Sequence, residues 1–174
     1  MRKLPFMVIA LVITLILALL APIEARSDIE PVAPEDRSAE ILQSHVEIVV
    51  NAILEAEGRC GHGQSGEYGC FQYQSGTWRS YSLDVSGKVL VQTEENERLI
   101  TEGMVRKWIL AGVSDRGILL TWNQGSATGW GPGTKDCYSG VNKYKVAYDS
   151  CDYAARGLAS IAAATASSTV SSHR

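Results

Sequence analysis

Ser38-Ala-Glu-Ile-Leu-Gln-Ser-His-Val-Glu-Ile-Val-Val-Asn-Ala-Ile-Leu-Glu-Ala-Glu57, followed by Gly58, is the stretch from which the fold is read. Ile41, Leu42, His45, Val46, Val49, Ala52, Ile53 and Ala56 return every three or four residues, the spacing of one face of an α-helix. Gly58 is the residue type that ends a helix in the left-handed conformation, so the helix is expected to finish at Glu57. A helix this apolar on one side needs other elements to bury it, and the sequence on either side decides which.

Upstream, residues 26–37 carry Pro31 and Pro34 among alternating charges, which reads as an extended linker. Before that, Met1-Arg-Lys is a short basic start, and Phe6 to Ala21 is an apolar run interrupted by Thr14. Residues 1–25 therefore read as a secretory signal peptide or an N-terminal membrane anchor through residues 6–21. Export with cleavage is favoured over a retained anchor, although no good small-x-small cleavage site follows the run. Either way the remainder is expected outside the cytoplasm: periplasmic, cell-surface or secreted.

Downstream, Arg59 to Thr77 holds five glycines and two cysteines, the makings of a compact loop. Ser75 is placed to cap a short helix carrying Trp78 and Tyr81. Thr93 is placed to cap the next helix, with Glu94, Glu95 and Glu97 near its positive end. Leu99, Ile100, Met104, Trp108 and Ala111 form its expected inner stripe, ended by Gly112. Ser114 opens a helix through Ile118, Leu119 and Trp122, and a second glycine-rich loop runs from Gly125 to Gly140. Ser150 is placed to cap a last helix from Cys151 to about Ala163, leaving residues 167–174 as a flexible tail. The expected product is a mainly α single domain over residues 38–166, with an optional short β-hairpin around Tyr68 to Tyr73.

Composition narrows the function. A chain of 174 residues and 18.8 kDa is one ordinary domain. Its net charge is −3, and losing Arg2, Lys3 and Glu24 with the leader makes it −4, which excludes phosphate-driven nucleic-acid binding. Four Trp and seven Tyr supply enough apolar surface to exclude disorder over most of the chain. Cys60, Cys70, Cys137 and Cys151 are an even set beyond the leader, as expected for two disulfides in an oxidising compartment. Three pairings are open, and the local one, Cys60 with Cys70 and Cys137 with Cys151, is preferred. A zinc site is disfavoured, since neither pair has finger spacing and no His stands at ligand distance in sequence. No metal or cofactor motif is present. His62, alone between two glycines, reads as a surface residue, and Ser65 and Ser75 lack a His–Asp context.

Glu57 is the residue singled out for chemistry. At the carboxyl end of a buried helix the dipole disfavours its negative charge, and apolar neighbours disfavour it further. A carboxyl kept protonated near neutrality is what glycosidic cleavage needs as a proton donor. Helix geometry alone equally fits a solvated helix-end carboxylate, like Glu55.

The downstream segments shift that balance. Glu67-Tyr-Gly69-Cys-Phe-Gln72-Tyr73, then Trp122-Asn123-Gln-Gly125, then Tyr153 follow Glu57-Gly58 in an order that resembles the lysozyme-like soluble lytic transglycosylase (SLT) family over residues 40 to 160. The resemblance implies a lysozyme-like fold with Glu57 as the catalytic acid/base. Gly69 and Gln72 match the family's Gly-x-x-Gln segment; Trp122, Asn123 and Gly125 its aromatic-Asn-x-Gly turn; and Tyr153 its late tyrosine. Gly58 stands where the family usually has Ser, and Trp122 where it more often has Tyr. Chemically, Gln72 offers donor and acceptor to a sugar, Asn123 offers its amide, and Tyr73 and Trp130 offer aromatic faces to pyranose rings. Tyr153 is placed to hydrogen-bond Glu57, while Trp108 belongs in the core.

The resemblance implies an exported lytic transglycosylase acting on peptidoglycan glycan strands of the bacterial envelope, cutting the MurNAc–GlcNAc β-1,4 bond. Its product would be a 1,6-anhydromuramyl end, and envelope secretion or conjugation machinery is a setting in which such enzymes work. Glu67 opens an alternative, because Glu67-Tyr-Gly-Cys-Phe-Gln72 also looks like a stretch of animal-type lysozymes. Two carboxylates, Glu57 and Glu67, would then hydrolyse the bond as a muramidase. A catalytically weak peptidoglycan-binding module and a disulfide-stapled structural envelope protein are the readings from other classes.

Overall fold

A computed structural model describes residues 34–124 and 136–171. Helix α1 spans Pro34–Glu57, α2 Ser75–Ser86, α3 Glu94–Leu110, α4 Asp115–Gln124 and α5 Ser150–Ser171. Between α4 and α5, strands β1 (Ser139–Val141) and β2 (Ala147–Asp149) pair antiparallel, with Gly140 opposite Tyr148. The described chain is thus mainly helical with one small two-stranded sheet, joined by two disulfides, Cys60–Cys70 and Cys137–Cys151. Both bridges are the local pairs preferred from the sequence.

Helix α1 is the central element, packed against α3 and α5, while α5 also packs on α4, and α2 on α3. Val46, Val49, Val50, Ile53 and Ala56 give α1 its buried stripe, meeting Ile100, Met104 and Val105 of α3 and Ile118 to Leu120 of α4 in one core. Gly58 follows at φ +74°, where its backbone N–H reaches the Leu54 carbonyl at 3.2 Å, so the helix ends at Glu57 as expected. An aromatic group sits beside this core. Trp122 packs against Tyr73 at a centroid distance of 5.1 Å and Trp108 at 6.4 Å, with rings steeply tilted in the manner quadrupoles favour.

Caps account for the starts of α3 and α4, whereas Ser75, expected to cap α2, is its first helical residue, and Gln74 at the cap position makes no side-chain cap bond. Thr93 Oγ1 accepts from Asn96 N at 3.3 Å and Ser114 Oγ from Gly117 N at 3.2 Å, both at the expected positions. The last helix differs. Its first turn is capped by Asp149, whose Oδ1 accepts from Asp152 N at 3.0 Å, while Ser150 is buried and its Oγ accepts from Tyr138 N at 2.7 Å. That serine serves the hairpin base instead of the helix.

Other expectations need correction. Helix α1 begins at Pro34, inside the segment read as linker, because proline suits a first helical turn. Helix α5 continues to Ser171, past Ala163 and into the expected tail, through the strongly helix-forming Ala162, Ala163, Ala164 and Ala166. Ile41 is 65% exposed, since the first turns of α1 extend beyond the elements that cover Val46 and its successors. Leu99 is exposed because α3 buries Glu97, Ile100, Thr101 and Met104, a seam rotated away from it. The sheet lies at residues 139–149, whereas Tyr68 and Tyr73 form an isolated antiparallel bridge.

Candidate active site

Glu57 ends α1 at the edge of a cleft of about 680 Å³. From α5, Tyr153 Oη donates to Glu57 Oε1 at 2.9 Å across 96 positions of sequence. Arg156, one turn further along α5, donates to the Ala56 carbonyl at 3.0 Å and lies over the Tyr153 ring, so the last turn of α1 is clamped. The pKa of Glu57 is raised from 4.5 to about 7: burial is the largest cause and the like charge of Glu67 adds to it, while Tyr153, Arg156 and a hydrogen bond from Trp122 oppose them. Burial also pushes the Tyr153 phenol well above its ordinary range, and the neighbouring Glu57 adds to this, so Tyr153 stays a donor. Glu55, two residues earlier, is exposed and accepts from Ser160. The two glutamates thus differ by which face of α1 they occupy.

The loop after α1 is folded around a second carboxylate. Glu97 of α3 is 1% exposed and accepts from Cys70 N at 2.8 Å, Phe71 N at 3.3 Å and Gln92 Nε2 at 2.8 Å. Gly69, at φ +88°, lies directly on it: a Cβ there would fall 1.5 Å from Glu97 Oε1. Gln72, itself at φ +48°, turns its amide inward and donates to the carbonyls of Gly61 at 3.0 Å and Gly69 at 2.5 Å. The Cys60–Cys70 bridge closes the same loop. Its outer limb carries Glu67, whose Oε2 accepts from Ser65 N at 2.8 Å.

Six of the expected residues, Glu57, Glu67, Gln72, Tyr73, Trp122 and Asn123, line this single cleft. Tyr153 stands behind Glu57, and Gly69 lies outside the lining, against Glu97. Tyr73 corrects an expectation. It was read as an exposed face, yet it is 3% exposed, because its hydroxyl meets Thr101 Oγ1 at 2.8 Å and its ring is enclosed by Trp78, Tyr81 and Trp122. It lines the cleft with little of its surface exposed. Gln72 likewise spends its N–H groups on loop carbonyls. Gly125, Trp130, the apolar run 6–21 and the linker up to residue 33 lie outside the described residues. His62 is exposed and stacks beside Tyr68.

A further part of the lining is not among the expected residues. It is the hairpin, which presents Tyr138, Val141, Asn142, Lys143, Tyr144 and Tyr148 to the cleft. Tyr144 is 47% exposed with Lys143 Nζ 4.9 Å from its ring centre. Strands of three residues are too short to show alternation, so only a turn was readable there. Glu97 was read as a helix-dipole residue, since a glutamate in a first turn ordinarily faces water. Two acceptors at the end of α4, Asn123 Oδ1 and Gln124 Oε1, are buried with no hydrogen-bond partner among the described residues. An acceptor left so in a cleft wall is suited to a ligand donor, such as a hydroxyl or amide N–H.

Among the described residues no cluster of three or more His, Cys, Asp or Glu is placed to hold a metal ion, and no helix is long and apolar enough to cross a membrane. No protein-family model, curated protein or solved structure matches this chain.

Proposed function

We propose that this protein is an exported lytic transglycosylase that cuts peptidoglycan glycan strands with Glu57 as the single acid/base. The feature that carries the reading is one carboxyl, Glu57, held by a tyrosine donor in a polar and aromatic cleft, where burial raises its pKa to about 7. A group poised there is half protonated near neutrality, able to give a proton and take one back. Glu57 protonates the glycosidic oxygen as the C1–O bond breaks, and the substrate's own acetamido group stabilises the cation at C1. The Glu57 carboxylate then removes the proton of the sugar's 6-hydroxyl, whose oxygen closes on C1. No water is consumed, and the acid is regenerated.

Supporting features are the acceptors Asn123 and Gln124 for hydroxyl and acetamido N–H groups, and the exposed tyrosine faces of the hairpin for pyranose rings. The paired disulfides favour an oxidising location, in keeping with work on the cell wall. A second reading has a specific observation behind it: Glu67 faces the same cleft and electrostatically raises Glu57. With Glu67 as partner, water would be the acceptor and the protein a muramidase.

Digestion of purified peptidoglycan separates these readings. The wild type is expected to release soluble muropeptides, and Glu57→Gln to release at least about 100-fold less, the scale of a lost general acid. Mass spectrometry then reads the ends: anhydro products are lighter than reducing products by one water. Reducing ends would transfer the assignment to the muramidase, and equal release by wild type and Glu57→Gln would remove the enzyme reading altogether.

A further inference from the structure

The two walls of the cleft meet at a polar contact. Asn142, in the hairpin turn, donates from Nδ2 to Ser65 Oγ at 2.7 Å. Its other amide atom is committed to the turn, for Oδ1 accepts from Tyr144 N at 2.9 Å and Val146 N at 3.0 Å. The side chain is therefore fixed from the hairpin side. Ser65 is 5% exposed, and its backbone N–H donates to Glu67 Oε2 at 2.8 Å. Gly63 completes the seat: its N–H bonds the Glu67 carbonyl at 2.9 Å, and a Cβ on it would fall 2.4 Å from Glu67 Oε2.

We propose that Ser65 and Asn142 are positioning residues that let the hairpin hold the Glu67 carboxylate at its place in the cleft, and through it tune the proton of Glu57. Glu67 acts on Glu57 as a like charge in a partly dry site, an interaction that depends on distance and therefore on how firmly the loop is held. The remaining groups that act on Glu57 belong to other elements: Tyr153 and Arg156 on α5, and Trp122 on α4. Arg59 also lines the cleft. Lys143, beside Asn142 in the hairpin, lines it as well, so the Glu67→Gln background is what isolates the Glu67 path. Releasing the contact lets Glu67 move toward water, weakens the repulsion, and makes Glu57 a stronger acid. The catalytic meaning of this tuning rests on the reading of Glu57 above, but the tuning itself is measured without substrate.

The measurement is a carbon-13 titration of the Glu57 carboxyl, assigned by its loss in Glu57→Gln. In the wild type the midpoint is expected near 7, and in Ser65→Ala it falls by about half a unit or more, as in Glu67→Gln. In the Glu67→Gln background, Ser65→Ala produces no further change, whereas Ser65→Thr, which keeps the hydroxyl, leaves the wild-type midpoint in place. Should Ser65→Ala not fold, Ser65→Cys serves in its stead, keeping the size but accepting weakly, and the same fall is expected. A folded Ser65→Ala or Ser65→Cys with an unmoved midpoint overturns the proposal. So does a fall of equal size with Glu67 already neutral. Peptidoglycan left intact by the wild type would instead strike the transglycosylase reading and leave this coupling standing.

Discussion

The Glu57 carboxyl is lifted from 4.5 to about 7 by burial before anything else, and that displacement has a cost in stability. The folded chain keeps a proton that the unfolded chain has released, so the fold loses stability as pH rises from about 4.5 to about 7 and not outside that window. The gap corresponds to about 3 kcal/mol, fully felt above pH 7 and absent below about pH 4. Glu57→Gln cannot ionise. Its stability relative to wild type should therefore improve by about 3 kcal/mol between pH 4 and pH 8, read from urea unfolding at each pH. A constant difference across that range would mean the carboxyl is not displaced. Part of this residue's position was legible: the stripe from Val46 to Ala56 and the stop at Gly58 put Glu57 at a buried helix end. Its partner was not, because nothing in local pattern links it to Tyr153; only the ordered resemblance did so. Gln72 shows the opposite case. Its residue type suits a sugar, yet the positive φ at Gln72 and the curl of the loop turn its amide onto the carbonyls of Gly61 and Gly69.

At the scale of an element, the loop between α1 and α2 is shaped by a side chain that belongs to neither. Glu97 satisfies two consecutive backbone N–H groups, at Cys70 and Phe71, which would otherwise be buried without partners. This carboxylate is the reason residue 69 has no room for a side chain. Glu97→Gln keeps the shape but replaces an acceptor oxygen with a donor facing donors, and is expected to cost about 2 kcal/mol in chemical denaturation. Gly69→Ala adds a clash to a backbone conformation that alanine resists, and is expected to cost about 3 kcal/mol or more. If the truncation Glu97→Ala relieves part of the Gly69→Ala penalty, the two act through one contact; additive penalties would separate them. The sequence showed that the loop was compact, from its glycines and cysteines. It did not show what the loop was wrapped around, because α3 carries Glu94, Glu95 and Glu97 in one turn and their inward or outward facing depends on tertiary packing.

Across the whole molecule, most helices followed from periodicity, since each has a long local signature, whereas the hairpin wall has strands of only three residues, beginning where the glycine-rich stretch ends. What holds that wall in place is covalent. Cys137 precedes β1 and Cys151 lies in the first turn of α5, two residues before Tyr153, so the bridge ties the base of the hairpin to the helix that clamps Glu57. The pairing was anticipated from spacing, but its consequence for the cleft was not. A bridge closing a loop of this length contributes about 3 kcal/mol, largely by restricting the unfolded chain. Replacing both cysteines with Ser is therefore expected to lower the melting temperature by about 10 °C. The effect on activity should be uneven. The hairpin lines the cleft, so on the proposed transglycosylase reading KM for glycan strands should rise several-fold at a temperature where the variant remains folded. The Tyr153–Glu57 hydrogen bond is made between helices α1 and α5, which pack along their own lengths, so kcat should change less. A variant in which kcat collapses and KM stays fixed would show that the bridge serves the acid itself, and that the hairpin is not a binding wall.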